Sequence, residues 1–505
     1  MKRIYFCIFT TVVMLFAGTM AAEAQSKDFK MGQWTEIHNS IIKELNRSYV
    51  DSLPVDKIFR AGIDAMLGQL DPYTVYIPEE ENDDLQMMLS KTYGGIGAII
   101  HKKKEENVII NEPYFGSPAH KNGLQCGDEI IAIDGVPTKG LETKESSDRM
   151  KGKPGTTVVF KVKKVRSSDT LDIPIVRERI HFPDVEYAGM LDDTTGYILQ
   201  SGFTEGVAQQ LKEKFTKLKS QGMKRLVLDL RGNGGGLMSE AVDIISLFVP
   251  KGSLAVSSKG ADNGSNREYR TSVEPIDTLM PIIVMIDGGS ASASEIVSGG
   301  LQDLKRAVIM GKTSFGKGLV QSIRPLPYNG QMKITTAKYY TPSGRCVQGI
   351  GVKPDVEIDI PQYSRLVYSL VLGGVIDQYV LKFAREHKSV PDADTYHFSD
   401  EDFEDFIDFA KTQEFDYRSS AKASFDKMKE ELEKDGISDV MSSELSALEK
   451  AIEMDKERFI RLKKDEIIPF IEEEIITRYH FQEAGVKIRL RYDKQLHKAL
   501  AQSLD

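Results

Sequence analysis

Two apolar runs near the middle of the chain end in clusters of glycine: LVLDLRGNGGG, residues 226–236, and IIVMIDGGSASAS, residues 282–294. Short apolar runs closed by glycine read as strands buried on both faces. Around them the pattern alternates. TGYILQ reads as a strand, EGVAQQLKEKFTKLKSQG as an amphipathic helix ended by Gly222, LMSEAVDIISLFV and SASEIVSGGLQDL as helices, and RAVIMG as a further strand. Strands alternating with helices predict an α/β core, a parallel or mixed sheet covered on both faces. In such sheets ligands bind beyond the carboxyl ends of the strands, where both glycine turns fall.

The turns carry the chemistry. Gly232, Gly234, Gly235 and Gly236 permit dihedrals that aim backbone N–H groups at one point, as an oxyanion hole or anion site requires. GNGGG is also compatible with a nucleotide loop or a plain tight turn. It matches neither G-x-G-x-x-G nor a Walker loop, and GKTSFGKG lacks the latter spacing too. Ser290, Ser292 and Ser294 can cap a helix, or one of them can be a nucleophile. A nucleophile needs a base, and none of the 8 histidines lies between His181 and His387. Lysine is the other base that serine enzymes use, provided burial lowers its pKa. The candidate is Lys317, between Gly316 and Gly318, with no carboxylate in GKTSFGKGLVQSI and with Gln321 four residues on to orient the amine.

The rest of the chain is organised around this core. Lys2 and Arg3, the apolar run from Ile4 to Phe16 and Ala22-Glu23-Ala24 read as a cleavable export signal, residues 1–24; an uncleaved anchor is the other reading. Residues 25–92 read as helical. Residues 93–178 break into short β-rich runs punctuated by Gly, Pro and Asp, and 179–361 hold the core. Residues 362–505 are long charged helices, read as solvated faces or oligomer contacts. The 3 cysteines give no disulfide framework, and the net charge of −9 argues against nucleic acid as partner.

Taken together, GGIG, GSPAHKNGLQCGDEIIAIDG, LVLDLRGNGGG, SASASEI, GKTSFGKGLVQ and YYTPSGRCVQGIGVKPD resemble the carboxyl-terminal processing proteases, the S41 serine peptidases related to tail-specific protease. The resemblance runs from about Trp34 to Pro361. It implies a ClpP/crotonase-like protease core with an inserted PDZ domain, working without metal or other cofactor. It places the nucleophile at Ser292, the general base at Lys317, the amine-positioning residue at Gln321, and the oxyanion donors at the N–H groups of Gly236 and Ala293. In the PDZ insert it places a peptide carboxylate at Gly95, Ile96 and Gly97, and Lys151 stands where many members carry arginine. The implied activity is cleavage of exported proteins near apolar C-terminal tails. The periplasm is the implied location, and a homodimer and an adaptor or regulator protein are further partners to expect. A catalytically silent PDZ scaffold and a crotonase-like acyl-CoA enzyme are the competing readings.

Overall fold

The computed structural model describes residues 27–502 apart from 103–105, 166, 168, 453 and 454, so the expected export signal lies outside the described residues. At the centre is a six-stranded sheet, in the order Val185–Met190, Thr195–Gln200, Arg225–Asp229, Ile282–Ile286, Val308–Gly311 and Val356–Glu357. The first strand joins antiparallel and the others run parallel, so the sheet is mixed.

Neighbouring residues on these strands face opposite layers, as strand geometry requires. Leu228, Val284 and Ile286 pack on helices Val207–Ser220, Met238–Ser246 and Ala293–Asp303, through Leu211, Phe215, Ile244 and Val297. Val227, Ile283 and Met285 face the other way, onto Val486, Leu490, Leu496 and Ala499. Each fully buried aliphatic side chain contributes about 1.5–3 kcal/mol.

That second layer corrects the sequence reading. The C-terminal helices are charged outside, yet they cover one face of the central sheet. They also enclose a core of their own, with Leu366, Tyr379, Phe406, Ile471 and Ile488 all buried. Periodicity shows one apolar stripe per helix and not which layer receives it.

A second sheet of five strands holds Leu319–Pro325 against Gln331–Tyr340, so Lys317 sits at a strand entrance. The β-rich insert forms its own sheet around Val108, Ile130, Phe160 and Val162. Its strand Ala98–His101 lies at the sheet edge, and Thr92–Gly95 pairs with Glu178–His181 as a two-stranded stem. At the N-terminal end, the helix over 27–48 and helix Val55–Leu67 leave Phe29, Trp34, Ile41 and Ile58 exposed.

Candidate active site

The turn after Ile282–Ile286 brings Ser292 to the entrance of helix Ala293–Asp303 with φ 56° and ψ −112°. A non-glycine residue with positive φ is held there by its surroundings at a cost of about 1–3 kcal/mol. The surroundings are hydrogen bonds between the two glycine turns. Ser290 Oγ donates to Leu230 O at 2.7 Å and Ser294 Oγ to Asn233 O at 2.8 Å, while Ala291 N–H donates to the same Asn233 O at 3.0 Å. Asp287 Oδ1 accepts from Gly232 N–H at 2.8 Å and from Gly289 N–H at 2.9 Å. Buried Asn233 donates to Gln200 O and accepts from Gly235 N–H, at 2.8 and 2.9 Å. The flanking serines therefore stitch turn to turn.

Close approach makes two of the glycines necessary. A Cβ on Gly235 would lie 2.7 Å from Ser292 Cβ and 2.9 Å from Ala293 N, and one on Gly236 would lie 2.5 Å from Phe203 O. Gly236 N–H and Ala293 N–H find no acceptor among the described residues. The second is an unpaired donor of a helix first turn, where partial positive charge collects.

Lys317 reaches the same cleft from the loop before Leu319–Pro325. The cleft has a volume of about 470 Å³ and is lined by Ser292, Gly236, Lys317, Gln321, Lys333 and apolar Leu237, Met238 and Ile296. Burial, helped by the like charge of Lys333, holds the Lys317 amine below its ordinary pKa, outweighing the opposing pull of Glu295. Lys317 Nζ lies 4.9 Å from the centre of the Tyr73 ring, and among the described residues no hydrogen bond joins it to Ser292 Oγ. Gln321 lines the cleft, but its amide donates to Thr335 Oγ1 at 3.4 Å, and no hydrogen bond takes it to Lys317 among the described residues.

Two residues that sequence reasoning missed tie the serine turn to the lysine loop. Glu295 is fully buried, and its carboxylate accepts from Ser292 N–H, Gly316 N–H and Lys317 N–H, each at 2.8 Å, and from Ser314 Oγ at 2.5 Å. The S-x-x-E spacing of a capping box was its signal, since Glu295 sits three residues after Ser292. The Tyr339 hydroxyl lies 3.0 Å from Ser292 O and 2.8 Å from Lys317 O. No short-range signal pointed to it.

In the insert, Gly97 has φ 72° and its carbonyl accepts from Ser117 Oγ at 2.8 Å. Ile96 is buried and its N–H finds no acceptor among the described residues. Gly95 thus ends the stem strand, and Ile96 and Gly97 link it to the edge strand Ala98–His101.

An α/β core with a serine and a lysine in one cleft, bearing a PDZ-like insert, defines the class of PDZ-bearing serine peptidases. Family models agree region by region: Peptidase family S41 over 194–358, PDZ domain over 85–163, and Probable PDZ-protease, C-terminal helical domain over 366–502. A carboxy-terminal-processing protease of Bartonella bacilliformis is 38% identical over 66% of this chain and 77% of its own. A probable CtpA-like serine protease of Staphylococcus aureus is 34% identical over 71% of each chain. Among solved structures, the photosystem II D1 C-terminal processing protease is 31% identical, covering 63% of this chain and 86% of that one with a TM-score of 0.38. The chain belongs to peptidase family S41 and is a serine-type carboxyl-terminal processing protease with a PDZ domain and a helical C-terminal region.

Proposed function

We propose that the enzyme cuts exported proteins near their C-termini with a Ser292/Lys317 dyad, on a ClpP/crotonase-type core. Supporting it is the meeting, in one cleft, of a strained serine, a lysine whose pKa burial lowers, and Gly236 with its unspent N–H, beside the unspent N–H of Ala293, the residue after the serine. The free-base amine of Lys317 takes the Ser292 hydroxyl proton as Oγ bonds to the scissile carbonyl carbon. This requires Lys317 to leave the face of Tyr73 and swing toward Ser292, a movement its flexible side chain allows. The tetrahedral oxyanion rests against Gly236 N–H and Ala293 N–H, where one such donor is worth about 2.7–4 kcal/mol. The C–N bond breaks as the Lys317 ammonium protonates the leaving amine. Water, deprotonated by the same amine, then hydrolyses the acyl-serine ester. Gln321 is proposed to orient the amine in this productive state.

The tail enters through the PDZ insert. Its C-terminal carboxylate is proposed to accept N–H groups from the Gly95–Gly97 loop while its backbone extends the sheet along Ala98–His101. The apolar walls at Leu237, Met238 and Ile296 suit apolar side chains near the cut. Residues 1–24 are proposed as a cleaved export signal and the periplasm as the place of action. The exposed apolar side chains of the N-terminal helices, Phe29 at 71% and Trp34 at 67%, support pairing with a second copy, and an adaptor or regulator protein is the remaining proposed partner.

Purified wild type, Ser292→Ala and Lys317→Ala are incubated with an unfolded protein bearing an apolar C-terminal tail. Cleavage by the wild type alone is expected. Equal tail binding with no cleavage by any of the three would make the chain a scaffold instead.

A further inference from the structure

Arg231 opens the glycine turn and points away from the cleft. Its Nε lies 3.0 Å from both carboxylate oxygens of Asp229, and Nη2 bonds the same carboxylate. The other side of the guanidinium is taken by residues 262 and 264 positions further along the chain. Nη2 donates to Asp493 Oδ2 at 2.5 Å, and Nη1 to Asp493 Oδ1 at 3.3 Å and to Gln495 Oε1 at 2.8 Å. Asp493 also caps the last helix, Lys494–Leu500, accepting from Leu496 N–H at 2.8 Å. Gln495 is buried and donates to Ile358 O at 3.0 Å, so the clamp is fixed to the end of the central sheet.

The clamp acts at the start of the turn, where Arg231 and Gly232 face open space. Gly234, Gly235 and Gly236 border the catalytic cleft, while Arg231 and Gly232 border a separate cavity of about 570 Å³ on the other side, shared with Asp287, Tyr363, Arg489 and Asp493. Gly235 and Gly236 are wedged against Ser292 and Phe203, but a Cβ on Gly232 would meet nothing within 4 Å, so the start of the turn keeps its shape through hydrogen bonds. Asp287 holds Gly232 and Asn233 holds Gly235, but both belong to the core itself. Asp229 alone would orient Arg231 and leave it hinged on its own strand end. The bonds to Asp493, seconded by Gln495, make the turn's first residue answer to the helical region.

We infer that Asp493 is a positioning residue for peptide hydrolysis, gripping Arg231 so that the glycine turn presents Gly236 N–H to the oxyanion; this rests on the oxyanion-hole reading above. The C-terminal helical region thereby completes the active site. Burial works to raise the Asp493 carboxyl, but the hydrogen bond and charge of Arg231 outweigh it and keep it ionised below its ordinary range.

The test uses the full chain and a fluorogenic peptide with an apolar free C-terminus, with kcat normalised to active serine titrated by a phosphonate probe. Asp493→Ser keeps a helix cap but cannot reach Arg231. Its kcat is expected to fall about 10- to 100-fold with KM unchanged, the cost of a small misplacement at a catalytic centre. Asp493→Asn, which keeps the cap and one carbonyl acceptor, should recover part of the loss. Adding Asp493→Ser to Arg231→Gln should cost nothing further, since the guanidinium that Asp493 grips is already gone. Wild-type kcat in Asp493→Ser, or an equal further loss in the Arg231→Gln background, would overturn the inference while leaving the dyad reading intact. Full hydrolysis by Ser292→Ala would overturn the dyad reading itself, and this inference with it. Should Asp493→Ser fail to fold, Asp493→Asn and its combination with Arg231→Gln decide by the same comparison.

Discussion

Glu295 and Glu112 are both buried carboxylates, 0% and 3% exposed, and the protein treats them in opposite ways. Glu295 receives four donors and binds the Ser292 turn to the lysine loop. Glu112 lies in the seam between the PDZ sheet and the C-terminal helices. One of its oxygens accepts from Gln482 Nε2 at 2.8 Å, and the other has no hydrogen-bond partner among the described residues. Arg478 is close enough to help by charge, but its guanidinium is committed to Glu474, Asp377 and Asn111. Burial therefore pushes the Glu112 carboxyl up to about 7, against the hydrogen bond from Gln482 and the charge of Arg478. Desolvation of an acid is tolerable in proportion to the donors that replace water. Glu295 has those donors; Glu112 in the seam lacks them, and its carboxyl is raised to about 7.

Removing the well-satisfied acid tests the contrast most severely. Glu295→Ala leaves three N–H groups and the Ser314 hydroxyl without their acceptor. A loss of about 3–5 kcal/mol in unfolding free energy is expected, together with a kcat at least about 100-fold lower. Glu295→Gln, which keeps a single acceptor oxygen, should fall between. Denaturant unfolding and peptide turnover measure the two effects, and wild-type turnover in the alanine variant would show that the staple is dispensable.

The poorly satisfied acid should respond to pH. Below its ordinary value of 4.5, Glu112 is protonated in folded and unfolded chains alike, and its contribution to stability is fully present. As pH rises toward 7 the unfolded chain releases the proton and the folded one retains it, so stability falls, by up to roughly 3 kcal/mol. Glu112→Gln should abolish that fall, matching wild type near about pH 4 and exceeding it above about pH 7. Unfolding curves across this range decide it. A wild-type-minus-variant difference that stays constant with pH would break the comparison.

The sequence carried the central sheet because its strands are apolar without alternation, and glycine spacing marked the turns whose Ser292, Lys317 and Gly236 line one cleft, although the choice of Ser292 among three serines and of Gly236 among four glycines came from the family resemblance. It did not carry the seam or the clamp. Arg478 and Glu112 are 366 positions apart, and Arg231 and Asp493 are 262 apart; only the fold pairs them. Charged residues in helices look alike in a sequence whether they meet water or a distant arginine. Gln321 illustrates the reverse, since its spacing from Lys317 suggested a partner and the structure turns its amide to Thr335. GKTSFGKGLVQSI holds no carboxylate, yet Glu295 acts on Lys317 from outside that stretch, through the helix entrance.

The smallest expected effect is the most direct reading of the cleft's electrostatics. If Lys317 is the base, kcat/KM rises with pH as the amine loses its proton, with a midpoint below lysine's ordinary 10.5 because burial disfavours the ammonium. Lys333, on strand Gln331–Tyr340 and lining the same cleft, lowers that midpoint further by like-charge repulsion. Lys333→Gln removes the repulsion and leaves burial in place, so the acid limb of the profile should move upward by about 0.5 pH unit or less. Raising ionic strength from about 0.05 to about 0.5 M should shrink the difference between variant and wild type, since a charge reached through a solvent-open cleft is screened. A downward shift would mean that Lys333 does not act on the base through its charge. An unmoved limb in both Lys333→Gln and Glu295→Gln would mean that the ionisation limiting the rate is not that of Lys317.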